Sequence, residues 1–171
     1  MAQNMYNAFI GIDPGRSGGI AIIDYTGLRT FKMPASIRMM VEILETEAKS
    51  HSDCLVLIER VGMYRTDPGK GGKVFNIAKM IENFTECRSA LKMAGMNFKL
   101  VESRKWQGYL RLNNKTDSQT QRKNRFKDFA QSMFPNVKIT LATSDATCLA
   151  IFAYKAAKFN MEIIDNLVGN D

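Results

Sequence analysis

Histidine is nearly missing from this chain: its 171 residues hold one, His51. A histidine-based triad and a zinc site with several histidines are thereby excluded. His51 precedes an apolar run and is expected to be a solvated residue. Cysteine is scarce and odd in number. Cys54, Cys87 and Cys148 have no metal-ligand spacing and sit among apolar residues, so reduced core thiols are expected. Long apolar runs are also lacking. None approaches the roughly 20 residues of a membrane span, so no membrane partner is expected. Residues 1–7 carry no charged region ahead of their short apolar stretch, which reads as a first strand and not a secretory leader. A cytoplasmic protein is the expectation. Internal repeats and low-complexity segments are absent. With 45% hydrophobic residues, the chain 1–171 reads as one domain with ample length to bury a core.

What the chain has in excess is positive charge, and it is localised. Between Lys99 and Lys127 stand nine basic residues against Glu102 and Asp117. That net of seven equals the net charge of the whole protein, +7. A field so concentrated points to a polyanion, and nucleic acid is the commonest one. The alternative is a solvated basic helix without a ligand.

Along the chain, residues 7–13, 18–24 and 27–33 read as three strands with tight links, an antiparallel meander. A helical period over 36–50 opens at Ser36, a candidate cap. Residues 54–58 form a continuous apolar strand of the kind buried on both faces. Arg60 to Gly72, with Pro68, Gly69, Gly71 and Gly72, reads as a mobile loop. A long helix is predicted from about Lys73 to Met93, with Val74, Ile77, Met80, Ile81, Phe84 and Leu91 on its apolar side. A fifth strand follows at 97–101, then a short helix containing Trp106 and a polar loop from Asn113 to Ser118. A helix near 119–133 is stopped by Pro135, and a last one runs from about Asp145. This order predicts a mixed five-stranded sheet flanked by helices, an α/β fold.

Three carboxylates fall where apolar elements meet exposed edges. Asp13 ends Ala8-Phe9-Ile10-Gly11-Ile12, Glu59 ends Cys54-Leu55-Val56-Leu57-Ile58, and Asp145 opens the apolar stretch 146–159. A carboxylate so placed can remain in water while its element is buried. Taken singly, each is as well read as a cap or a surface residue. Together, from distant parts of the sequence, they suggest a hard-cation site assembled by the fold, of the kind phosphodiester chemistry needs.

These residues also resemble a known family. Gly11-Ile12-Asp13-Pro14-Gly15, Leu57-Ile58-Glu59 and Asp145-Ala146 entering Leu149-Ala150-Ile151 are similar to the motifs of RuvC-type Holliday-junction resolvases, of the ribonuclease H-like superfamily. Ser103-Arg104-Lys105-Trp106-Gln107 before a basic helix is a weaker echo. The resemblance implies a ribonuclease H-like fold and an endonuclease of DNA recombination and repair. It implies paired nicks in branched DNA with 5′-phosphate and 3′-hydroxyl ends. Asp13, Glu59 and Asp145 would hold two Mg²⁺, with Mn²⁺ able to substitute. Lys105 and Lys123 match family lysines on the DNA path, and Lys123 is assigned to catalysis. A homodimer follows from the near two-fold symmetry of a junction, with the 73–93 helix as its candidate interface. The expected DNA contacts are Arg16, Tyr64, Arg65, Lys70, Lys73, Arg104, Lys105, Lys115 and Arg122, each equally readable as solvated. Tyr64 either stacks on an unpaired base or packs on its own loop. Trp106 either faces DNA or fills the core.

The chain departs from the family where a second acid is usual on the last helix. Cys148 and Leu149 stand there, or Thr147 if the Leu-Ala-Ile run is matched instead. Cysteine is a soft ligand ill-suited to Mg²⁺, so Cys148 is expected in the core. Ser144 caps the helix or holds a water. A branched-DNA-binding protein without catalysis is therefore a competing reading. A small-molecule phosphate binder is a third, from Gly11-x-Asp13-x-Gly15-x-x-Gly18, but the turn leads to a strand and not to the helix such a loop requires.

Overall fold

The structure is a computed structural model and describes residues 6–61 and 71–169, with side chains left aside at 71–77 and 168–169. Three strands, β1 (Ala8–Asp13), β2 (Gly19–Asp24) and β3 (Gly27–Lys32), form the expected antiparallel meander. α1 (Ile37–Ser50) follows, with the Ser36 side chain accepting from the Met39 amide as its cap. Beyond it lie β4 (Cys54–Glu59), α2 (Gly71–Met93), β5 (Lys99–Val101), α3 (Ser103–Tyr109) and α4 (Gln119–Met133). α5 (Ser144–Phe159), α6 (Met161–Asp165) and β6 (Val168–Gly169) complete the order.

The sheet runs β3-β2-β1-β4-β5-β6. β4 pairs parallel with β1 and β5 parallel with β4, while β6 pairs antiparallel with β5. The five expected strands are all present, and the two-residue β6 adds a sixth at the edge. α6 and β6 are too short to leave a periodic signal in the sequence. The loop expected over 60–72 falls mostly outside the described residues, and α2 already takes its last two positions by beginning at Gly71.

The central strands are buried on both faces, hence their unbroken apolar runs. Ile10, Ile12, Ile20, Ile22, Val56 and Ile58 face α1 and α2, meeting Met40, Leu44, Cys87 and Leu91. Phe9, Ala21, Leu55, Leu57 and Val101 pack with α3, α4 and α5 through Trp106, Phe126, Leu149 and Phe152. No helix among the described residues is long and apolar enough to cross a membrane.

His51 corrects the expectation of a solvated residue. It is buried, with Nε2 3.3 Å from Asp24 Oδ2 and 3.4 Å from Glu47 Oε2. The cause is convergence: the end of β2 and the last turn of α1 meet ahead of β4 and enclose it. Arg29 joins the same cluster, pairing with both carboxylates.

Candidate active site

β1 and β4 lie side by side and in parallel, with Ile12 opposite Ile58. The residues that follow, Asp13 and Glu59, therefore end adjacent strands together. The turn after Asp13 doubles back tightly. A Cβ on Gly18 would stand 2.1 Å from the Asp13 carbonyl oxygen, and Gly15 adopts φ +127°, open to glycine alone among ordinary residues.

α5 brings the third carboxylate. It rests on β1 at Gly11, where a Cβ would lie 2.3 Å from the Ala146 carbonyl oxygen and 2.5 Å from the Ala150 nitrogen. That approach carries Asp145, in the first turn of α5, to the Asp13 end of the sheet. A carboxylate there also meets the positive end of the helix dipole.

Lys123, on α4, joins the two aspartates. Its Nζ donates to Asp145 Oδ2 at 2.8 Å and lies 3.9 Å from Asp13 Oδ2. Ser144 Oγ donates to the other Asp145 oxygen at 2.9 Å. Glu59 is held from α3: Ser103 Oγ donates to Oε1, and Trp106 Nε1 donates to Oε2 at 3.0 Å.

The electrostatics are those of too much negative charge for the space. Burial, then the nearby Asp145 and Glu59, push the Asp13 carboxyl well above the ordinary carboxylate range, and Lys123 only partly opposes them. Glu59 is also raised, by burial and Asp145 against the hydrogen bonds from Ser103 and Trp106. Burial works against the Lys123 ammonium, yet Asp145, Asp13 and Glu59 outweigh it and raise its pKa.

The donor set at this end is oxygen only and under-compensated, which fits a hard divalent cation. Its oxygens do not crowd one point. Among the described residues, the group of three candidate ligand atoms within 4.8 Å of one another is Asp24, Glu47 and His51. That group lies at the opposite end of the sheet and already has Arg29 as its cation.

Beside Glu59 and Asp145 opens a cleft of about 850 Å³, with Arg104, Lys115 and Arg122 on its walls. No protein-family model matches the chain, and no curated protein does. Solved structures do. Thermus thermophilus RuvC superposes with a TM-score of 0.57 at 12% identity, over 95% of this chain and 99% of that one. The same protein in complex with a Holliday junction substrate gives 0.54 at 11% identity, with the same coverage. The fold is that of RuvC.

On this RuvC fold the predicted site residues divide. Asp13, Glu59, Asp145 and Lys123 come together. Arg104, Lys115 and Arg122 are exposed along the cleft, Lys105 is exposed on α3, and Arg16 is exposed in the turn that follows Asp13. Tyr64, Arg65 and Lys70 lie outside the described residues, as does the side chain of Lys73 on α2. Cys148 is fully buried, its thiol raised by burial and donating to the Phe126 carbonyl at 3.5 Å. Thr147 is buried too and donates to the Thr143 carbonyl at 2.7 Å. Neither position on the RuvC-like α5 offers a fourth acid. Sequence reading missed the hold on Glu59 by Ser103 and Trp106. The signal was there in part, since a buried indole needs an acceptor for its N–H.

Proposed function

We propose that the protein is a divalent-metal-dependent endonuclease that cuts branched DNA, four-way junctions above all, by paired nicks. One observation supports this most: carboxylates from three distant segments meet beside a lysine, at the mouth of a basic cleft, on a RuvC fold. Asp13, Glu59 and Asp145 hold the metal, which is Mg²⁺ with Mn²⁺ as substitute. Bound there, two such ions supply the Lewis acidity for water to attack a phosphodiester and for the 3′ oxygen to depart. Water adds to phosphorus as the P–O3′ bond breaks, leaving a 5′-phosphate and a 3′-hydroxyl. Before that step, as DNA binds, Lys123 exchanges an aspartate partner for the scissile phosphate. Arg16, Arg104, Lys105, Lys115 and Arg122 grip backbone phosphates without reading bases; Arg65, Lys70 and Lys73 belong to the same grip, and Tyr64 stacks on an unpaired base.

Two matched cuts require two sites related by a two-fold axis. α2 suits the dimer contact, because Met80 and Ile81 are each 37% exposed on it. Light scattering at micromolar concentration should give the mass of a dimer, and a monomeric mass counts against this part of the reading.

The direct test is a labelled synthetic four-way junction in Mg²⁺, beside linear duplex and an Asp13→Asn variant. Paired nicks in the junction alone, lost in the variant, are the expected result. A second reading is a branched-DNA-binding protein without catalysis, favoured by the burial of Cys148 and Leu149 where a fourth acid is usual. Tight junction binding with no cleavage in Mg²⁺ or Mn²⁺ would select it.

A further inference from the structure

Glu59 is held differently from the two aspartates. Both of its oxygens take a donor from one short helix, Ser103 on Oε1 and Trp106 on Oε2. Ser103 and Trp106 are three residues apart on α3 and so share a face. Trp106 is wholly buried, and its ring stands edge-on to Phe126 with centroids 5.1 Å apart. Phe126 lies three residues beyond Lys123 on α4. The indole thus ties three parts of the site together: β4 through a hydrogen bond, α4 through a ring contact, and α3 through the chain itself.

A buried indole N–H needs an acceptor, and a carbonyl would serve. Here the acceptor is instead one of the three site carboxylates. We propose that Ser103 and Trp106 are positioning residues that fix the plane of the Glu59 carboxylate for a divalent cation shared with Asp13 and Asp145. The inference rests on the metal-site reading above. An ionised carboxylate has about four lone-pair directions, so two clamp bonds leave the others open toward the cation. Outer partners of this kind set the orientation of a ligand and are typically worth about 10–100-fold in metal affinity. The arrangement also supplies its own probe. Trp106 is the one tryptophan in the chain, and a cation that draws charge from Glu59 changes the field at the indole directly.

The test is a titration with Mn²⁺, the free ion being counted by electron paramagnetic resonance. It compares the wild type with Ser103→Ala, Ser103→Thr, Trp106→Phe and Glu59→Gln, each checked for folding by circular dichroism. Ser103→Ala and Trp106→Phe should bind about 10-fold more weakly, and Ser103→Thr, which keeps the hydroxyl, should stay close to wild type. Tryptophan emission should shift with Mn²⁺ in the wild type and not in Glu59→Gln. If Trp106→Phe does not fold, Ser103→Ala decides alone. Wild-type affinity in Ser103→Ala overturns the clamp and leaves the metal site standing, as does a Ser103→Thr variant no tighter than Ser103→Ala. A wild-type protein that takes up no Mn²⁺ overturns the metal-site reading and the clamp with it.

Discussion

At one end of the sheet Asp24 and Glu47 share the guanidinium of Arg29, with His51 in contact with both. At the other end Asp13, Glu59 and Asp145 have, among the described residues, the one ammonium of Lys123 between them. The first cluster sets two carboxylates against one guanidinium, the second three against one ammonium. Burial alone would raise the Asp24 carboxyl, but donors from Thr26 and Arg29 outweigh it and bring it below its ordinary value. In the second cluster the same burial is reinforced by neighbouring carboxylates, and Asp13 goes the other way. A fold that merely needed to close its sheet end would have paired these acids as it paired Asp24 and Glu47. The difference is one of charge compensation, and it is the electrostatic ground on which the metal-site proposal rests.

The comparison breaks most readily at Asp13. Asp13→Asn should lower junction cleavage by at least about 10²-fold, while the metal-free variant melts no lower than wild type, since a repelled carboxylate has been neutralised. Paired assays of nicking and of thermal unfolding in chelator check both halves. At the Arg29 end the pattern reverses. Arg29→Met strands two largely buried carboxylates and should cost about 2 kcal/mol, below the usual 3–5 for a fully buried pair because Arg29 is 40% exposed. That is a fall of roughly 4–8 °C in Tm, with cleavage by the folded protein retained.

The pH dependence sharpens the contrast through opposite signs. The folded-state value of Asp13 is raised, so its stabilising protonated form is lost as pH climbs above the ordinary carboxylate range. Metal-free wild type should therefore lose stability relative to Asp13→Asn over that rise. Asp24 is depressed, so its contribution is present above the ordinary carboxylate value and disappears as pH falls below it. Melting curves in chelator from about pH 3 to about pH 8 resolve the two limbs. The smallest effect belongs to Cys148→Ala. Nicking should be unchanged, and stability should fall by about 1 kcal/mol for the lost packing and the bond to Phe126.

Much of this was readable in advance because strand ends announce themselves. Asp13 and Glu59 each close an apolar run, and the parallel register of β1 with β4 makes two ends of sequence into one end of a sheet. The helix cap at Ser36 obeys local rules and falls where expected, and the capping box at Ser118 marks the start of a helix expected near 119. What escaped notice depends on contacts between elements distant in sequence. His51 looks solvated until Asp24 and Glu47 are folded onto it, and Trp106 looks like plain core until its N–H is traced to Glu59. The missing acid on α5 was visible in the sequence, and its replacement by a buried thiol follows from packing.

The contact at Gly11 carries one more consequence. α5 touches β1 main chain to main chain, an approach that only glycine at position 11 permits, and it carries Asp145 to the Asp13 end of the sheet. The spacing of the two aspartates therefore hangs on one residue without a side chain, and any larger residue at position 11 would lever α5 away from β1 and draw Asp145 from Asp13.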